Sequence, residues 1–215
     1  MTTVNRTRLR LRYRKDQVLK YIGHRDLLRL ILRLLRQAKI PIATSGRFSP
    51  KPRIAFSPPL PLGVIAYNEL LDIELDEKTH WTTHDVQLAT DRLIQAAAPR
   101  NLVSSLVLLS SETPVITRLI SGARYLITCN NGAEWLAWLT GAKKPTSKKD
   151  DNFETTMQGI RRVNLYPQGV EADGDATGKT TLNIVRLASL LAKNTSSEYT
   201  ELCRSALLNH EGQPL

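Results

Sequence analysis

The chain reads as strand, helix, strand, strand, helix, strand over its first half, and repeats that order without a final strand over its second. This predicts an α+β fold of two ferredoxin-like (split β-α-β) domains, the second partial. Three observations carry the expectation: strict apolar/polar alternation at 7–13 and 69–76, helical spacing at 25–39 and 85–98, and a weaker second round of both patterns later in the chain. A length of 215 residues suits two small domains, placed at 1–113 and 114–215.

The first strand, 7–13, puts Leu9, Leu11 and Tyr13 on one side and Arg8, Arg10, Arg12 and Arg14 on the other. A turn follows through Lys15, Asp16, Gln17 and Gly23. The helix at 25–39 sets Leu27, Leu28, Ile31, Leu34, Leu35 and Ala38 near a helical period. Asp26 and Lys39 suit its dipole, and Pro41 forbids continuation. A Ser/Gly/Pro-rich loop spans 45–52, then a short strand at 53–57 and a proline corner through Pro58, Pro59, Pro61 and Gly63. In the third strand, 69–76, Leu71, Ile73 and Leu75 oppose Asp72, Glu74 and Asp76. A second helix is expected at 85–98 and a fourth strand at 101–109. In this layout the helices cover one sheet face and leave the other free.

The second domain is expected to hold a strand at 124–129, a short helix at 134–139 and a polar loop at 143–151. Strands at 161–165 and 180–187 would flank a Gly/Asp-rich turn, with a helix at 198–208.

Charge is distributed unevenly. Residues 1–53 hold fifteen Lys or Arg against Asp16 and Asp26, and the remaining residues hold fifteen basic against eighteen acidic. The net +10 therefore belongs to one end, and a concentrated basic field attracts polyanions, RNA first among them. Hydrophobic content of 41% argues against disorder. No apolar run approaches a membrane span, and the Arg-rich start does not read as a secretory signal. Cys129 and Cys203 cannot make a disulfide framework, so a cytoplasmic protein without cofactor or metal is expected.

The candidate nucleic-acid-binding residues are Arg8, Arg10, Arg12 and Arg14, with Arg47, Phe48, Lys51 and Arg53. Four guanidinium groups on a free sheet face suit bidentate phosphate contacts. The competing reading is cross-strand pairing with Asp72 and Glu74, which the first and third strands would bring together. Arg25, Arg29, Arg33 and Arg36 form one polar helix stripe, most simply a solvated face. The loop Thr44-Ser45-Gly46-Arg47-Phe48-Ser49-Pro50-Lys51-Pro52-Arg53 combines an aromatic with three cations between stiffening prolines, which suits base stacking beside phosphate ligands. Alternatively, Phe48 tucks into the core. His24 and Asp26 are the candidate catalytic pair, although a His at a helix start more often caps or packs. His80 and His84 lack a third nearby metal ligand.

Two patterns mislead. Gly174-Asp175-Ala176-Thr177-Gly178-Lys179-Thr180 has three residues between its glycines where a phosphate-binding loop needs four, and is expected to make a hairpin turn. Trp135 and Trp138 fit the buried face of a short helix.

The runs Tyr21-Ile22-Gly23-His24-Arg25-Asp26-Leu27, Ser45-Gly46-Arg47-Phe48-Ser49-Pro50-Lys51-Pro52-Arg53-Ile54 and Pro59-Leu60-Pro61-Leu62-Gly63, followed by Asp72-Ile73-Glu74-Leu75, resemble the radical-SAM-linked protein family. The resemblance covers about residues 6–76, with a fainter echo at Arg162-Val163-Asn164-Leu165-Tyr166-Pro167. That family is a domain of unknown function found beside, or fused to, a radical S-adenosylmethionine protein. Its loop usually carries His between the two prolines, where this chain has Lys51. The resemblance implies a radical-SAM protein as partner. This chain has two cysteines, short of the three that hold a radical-SAM cluster, so any radical chemistry would belong to that partner.

Three functions are therefore weighed. The chain is a non-catalytic RNA-binding or substrate-recognition accessory, a small RNA-acting enzyme using His24 and the 45–53 loop, or a protein-docking domain whose arginines meet an acidic partner. The first is preferred on charge.

Overall fold

The computed structural model describes residues 7–46, 48–77, 80–141, 153–178 and 181–215. The expected polar loop at 143–151 and the candidate Arg47 lie outside them. The described residues make a mixed α+β structure whose strands pair mostly antiparallel. Two compact units are present: Met1–Leu62 with Tyr67–Leu119, and Gly63–Ala66 with Ile120–Leu215.

The first unit begins with β1 (Arg8–Lys15), where the predicted alternation buries Leu9, Leu11 and Tyr13 and leaves the arginines half-buried. Helix α1 (His24–Gln37) buries Leu27, Ile31, Leu34 and Leu35 against that strand's apolar side, each worth roughly 1.5–3 kcal/mol of transfer free energy. The chain leaves the helix through Lys39 at φ 58 and Pro41. Two-residue strands β2 (Thr44–Ser45) and β3 (Lys51–Pro52) then pair as a small hairpin, and β4 (Ile54–Phe56) follows. Strand β5 (Val64–Glu74) is longer than the alternation suggested. Its first three residues belong to the second unit, and the rest pairs with β4. Helix α2 (Thr83–Ala97) is started by a reciprocal capping box. The Asp85 amide donates to the Thr82 hydroxyl and the Thr82 amide donates to the Asp85 carboxylate. Strand β6 (Val103–Leu109) pairs antiparallel with β1, giving the order β6-β1-β5 with β4 on β5.

One expectation about this unit needs correction. The arginine face of β1 is not bare, because the segment after β6, ending in the short helix α3 (Ile116–Leu119), lies across it. The carbonyl of Thr113 accepts from Arg8, that of Pro114 accepts from Arg10, and the Ile116 amide donates to Asp72.

In the second unit, β7 (Gly122–Cys129) is followed by α4 (Gly132–Thr140), α5 (Phe153–Gln158), β8 (Ile160–Tyr166), β9 (Gly169–Asp175), α6 (Ile184–Asn194) and β10 (Tyr199–Leu208). The strand order is β10-β7-β9-β8, all antiparallel, and residues 64–66 pair parallel with β10. Trp135 and Trp138 are buried on α4 as expected, and the Trp135 indole donates to Thr195 Oγ1 at 2.9 Å.

Here the structure overturns three elements. Of the strand expected at 180–187, residue 180 lies outside the described residues and 181–187 form no strand: α6 begins at Ile184. The region 198–208 is not a helix but β10, the final strand the sequence pattern lacked. The third strand is β9, which had been read as a Gly/Asp-rich turn. In the two strands tertiary pairing outweighs local propensity. Leu202, Cys203, Leu207 and Leu208 are buried between strand neighbours, and Asp173 has an arginine opposite.

Candidate nucleic-acid interface

The four arginines of β1 point to one side because side chains alternate along a strand. Their partners divide them. Arg10 grips Asp72 with two hydrogen bonds, Nε to Oδ1 at 2.7 Å and Nη2 to Oδ2 at 2.9 Å. Arg8 Nη1 approaches the same carboxylate at 3.9 Å, and Asp72 is 3% exposed. One buried carboxylate thus anchors two guanidinium groups and a backbone amide. Arg12 donates to Asn68 Oδ1 at 3.4 Å. Arg14 is half-buried, with its Nε shielded and without a hydrogen-bond partner. For Arg8 and Arg10 the cross-strand reading describes the geometry.

The hairpin is different. Gly46 adopts φ 89, which a side chain rarely allows, and its position leaves a Cβ only 3.0 Å from the Ser49 carbonyl. That turn throws Phe48 outward until it is 96% exposed, so the alternative of a core-packed Phe48 is excluded. Lys51 is exposed beside it, and Arg53 reaches Glu74 Oε2 at 3.4 Å. On α1, Arg25, Arg29, Arg33 and Arg36 are all exposed.

His24 and Asp26 do not come together. Asp26 accepts from Arg29 at 2.8 Å, while His24 meets the Phe56 ring edge-on at 5.1 Å between centroids. His24 instead lines a narrow cleft of about 10 Å³, room for about one water, with Tyr13, Lys15, Ser57 and Glu69. Lys15 and Glu69 are each 2% exposed, and the Ser57 hydroxyl donates to Glu69 Oε2 at 2.7 Å. Sequence reasoning missed this cluster. Its one available signal was charge at core-facing strand positions, Lys15 following Leu9, Leu11 and Tyr13 in register, and Glu69 at the start of an apolar run. Among the described residues no group of His, Cys, Asp and Glu is arranged to hold a metal, and no helix is long and apolar enough to cross a membrane.

Architecture and site together define a small α+β protein with one strongly basic unit. The model of the family described as "Uncharacterized protein conserved in bacteria (DUF2344)" matches residues 8–198, and the chain belongs to that family. No curated protein matches the chain. It is similar to a solved structure described as "Crystal structure of putative glycine cleavage system transcriptional repressor", with a TM-score of 0.28 and 10% identity over 93% of this chain and 98% of that one.

Proposed function

We propose that the protein is a non-catalytic, cytoplasmic RNA-recognition module built from two ferredoxin-like domains and working with a radical-SAM partner. The observation that carries the reading is Phe48, held 96% exposed at a hairpin tip within the most basic stretch of the chain. An aromatic ring left in water forgoes its transfer free energy, and a nucleobase stacking on it would recover that while nearby Lys51 meets a phosphate. The radical-SAM partner rests on the family resemblance alone.

Fluorescence anisotropy with single-stranded and hairpin RNA, across a salt series, tests the proposal. Wild type is expected to bind with a steep salt slope, and Phe48→Ala to lose about 1–3 kcal/mol, as for one stacked base. Equal affinity of the two proteins, or no binding at low salt, overturns it.

A second reading is favoured by the His24 cleft. His24 shares that cleft with the buried Lys15 and Glu69, and ionisable groups gathered in a cleft are candidates for general acid–base work. It makes the protein an RNA-acting enzyme in which His24, not the His24–Asp26 pair, exchanges protons with substrate. His24→Ala would then abolish turnover with RNA affinity intact. An RNA recovered chemically unchanged from wild type after prolonged incubation would refute it.

A further inference from the structure

We infer that the groove between the C-terminal end of α1 and the start of α2 is a binding site for one nucleotide of a single-stranded RNA, its base stacked on Trp81 and its phosphate held by Lys39 and Arg92. The inference rests on the RNA reading above and adds a second stacking position to it, on elements other than the hairpin.

The groove encloses about 630 Å³, within the roughly 300–1,000 Å³ usual for small-ligand sites, and its lining includes Lys39, Pro41, His80, Trp81, Leu88 and Arg92. Trp81 is half-buried and packs on the core cluster, so its indole is held in place yet still lines the opening. A fixed aromatic loses little conformational entropy when a base stacks on it. Leu88, 40% exposed on α2, extends the apolar wall, and Arg92 stands one helical turn further on. Lys39, His80 and Arg92 are all exposed, so their heads are free to move onto a phosphate.

The single acid in the lining is Asp85. Its Oδ2 accepts from the Thr82 amide at 2.8 Å and the Thr82 hydroxyl at 2.6 Å, which turns its charge into the capping box. The two cations therefore outnumber an acid that is already engaged. The N-terminus of α2 also favours an anion over the adjoining lining, partly offsetting the opposite dipole end of α1. Cations beside a fixed aromatic in a nucleotide-sized groove are the two elements of sequence-tolerant single-strand recognition. The hairpin bearing Phe48 leaves the same end of α1. Pro41 lines the groove and Thr44 opens the hairpin, with the chain between them pinned where the Ala43 amide donates to the Glu74 carbonyl at 2.8 Å.

Intrinsic fluorescence gives a local readout, because Trp81 is the accessible one of three tryptophans: Trp135 and Trp138 are buried at 0% and 8% exposure. Full-length protein would be titrated with oligouridylate, reading tryptophan emission and the anisotropy of a labelled oligomer together. The expected result is saturable quenching at the same concentration as the anisotropy change, and quenching that persists in Phe48→Ala at its weaker affinity. Trp81→Ala is expected to bind about tenfold more weakly. Arg92→Gln, a surface change that leaves Trp81 in place, is expected to reduce the magnitude of the log–log salt slope by about 0.7. Anisotropy binding with unchanged emission, or an unchanged slope in Arg92→Gln, overturns this site and leaves the RNA reading standing. No anisotropy change at low salt overturns both.

Discussion

In each unit an arginine of the first strand grips an aspartate of the strand beside it. Arg10 holds Asp72 and Arg124 holds Asp173, both with Nε to Oδ1 at 2.7 Å and Nη2 to Oδ2 at 2.9 Å. What surrounds the two forks differs. In the second unit acids are in excess along β9. Glu171 also approaches Arg124 at 3.6 Å, Asp175 takes Arg161 at 2.6 Å, and hydrogen bonding to Asp173 raises the Arg124 pKa above its ordinary value. In the first unit arginines are in excess along β1, and Asp72 serves Arg8 and Arg10 together. The shared fork is therefore a structural fixture between a first strand and its neighbour. Only the surplus around it distinguishes a unit suited to a polyanion from one that is electrostatically settled.

The largest expected effect tests the fork itself. Asp72→Ala strips the carboxylate from two half-buried guanidinium groups and one amide, at a cost of about 3–5 kcal/mol. Asp173→Ala leaves Glu171 beside Arg124 and is expected to cost less, about 1–3 kcal/mol. Urea unfolding of both variants measures the difference, and equal losses would break the contrast. Next comes the surplus. Arg12→Gln with Lys51→Gln should lower the RNA salt slope by about 1.4, whereas Arg161→Gln with Arg162→Gln should leave it unchanged. A matching drop in the second pair would show that both units bind.

The smallest effect concerns helix caps. Hydrogen bonds from the Thr82 side chain and then its backbone hold the Asp85 carboxyl below the ordinary carboxylate range. A depressed folded pKa gives stability that is present above the unfolded value and lost as pH falls through the folded one. The α2 cap should therefore weaken only below about pH 4. The Asn131 and Asn183 caps of α4 and α6 use amide oxygens and carry no such dependence. Amide exchange at the three helix starts, followed through acid, checks this; parallel loosening of all three would refute it.

The first unit was legible in the sequence because its patterns are local. The Arg/Leu alternation of β1 and the heptad-like leucines of α1 identify their elements without reference to neighbours. In β9, by contrast, Gly174 stands where an added Cβ would lie 2.7 Å from Leu182 Cβ and 2.8 Å from the Gly159 carbonyl. The glycine that reads as a turn is required by the close approach of Leu182 and Gly159. Likewise Tyr199–Leu208 carries helix-compatible residues, and only its neighbours β7 and residues 64–66 make it a strand. For the candidate site, the sequence singled out the 45–53 loop and the arginine side of β1, and left open whether Phe48 is exposed. It could not show that Asp72 occupies two of those arginines, that His24 faces Lys15 and Glu69 rather than Asp26, or that Trp81 lines a groove with Lys39 and Arg92. Each of those depends on residues distant along the chain.

The parallel pairing of residues 64–66 with 202–204 has a consequence in time. Val64, Ile65 and Ala66 are wholly buried in the finished protein, yet their partner strand is made well over a hundred residues later. During synthesis these apolar residues leave the ribosome long before their β10 partner, and contacts that span so much sequence form late and slowly. The second unit thus has a built-in wait between translation and closure of its sheet, during which that tripeptide is the segment most open to mispairing or to a chaperone.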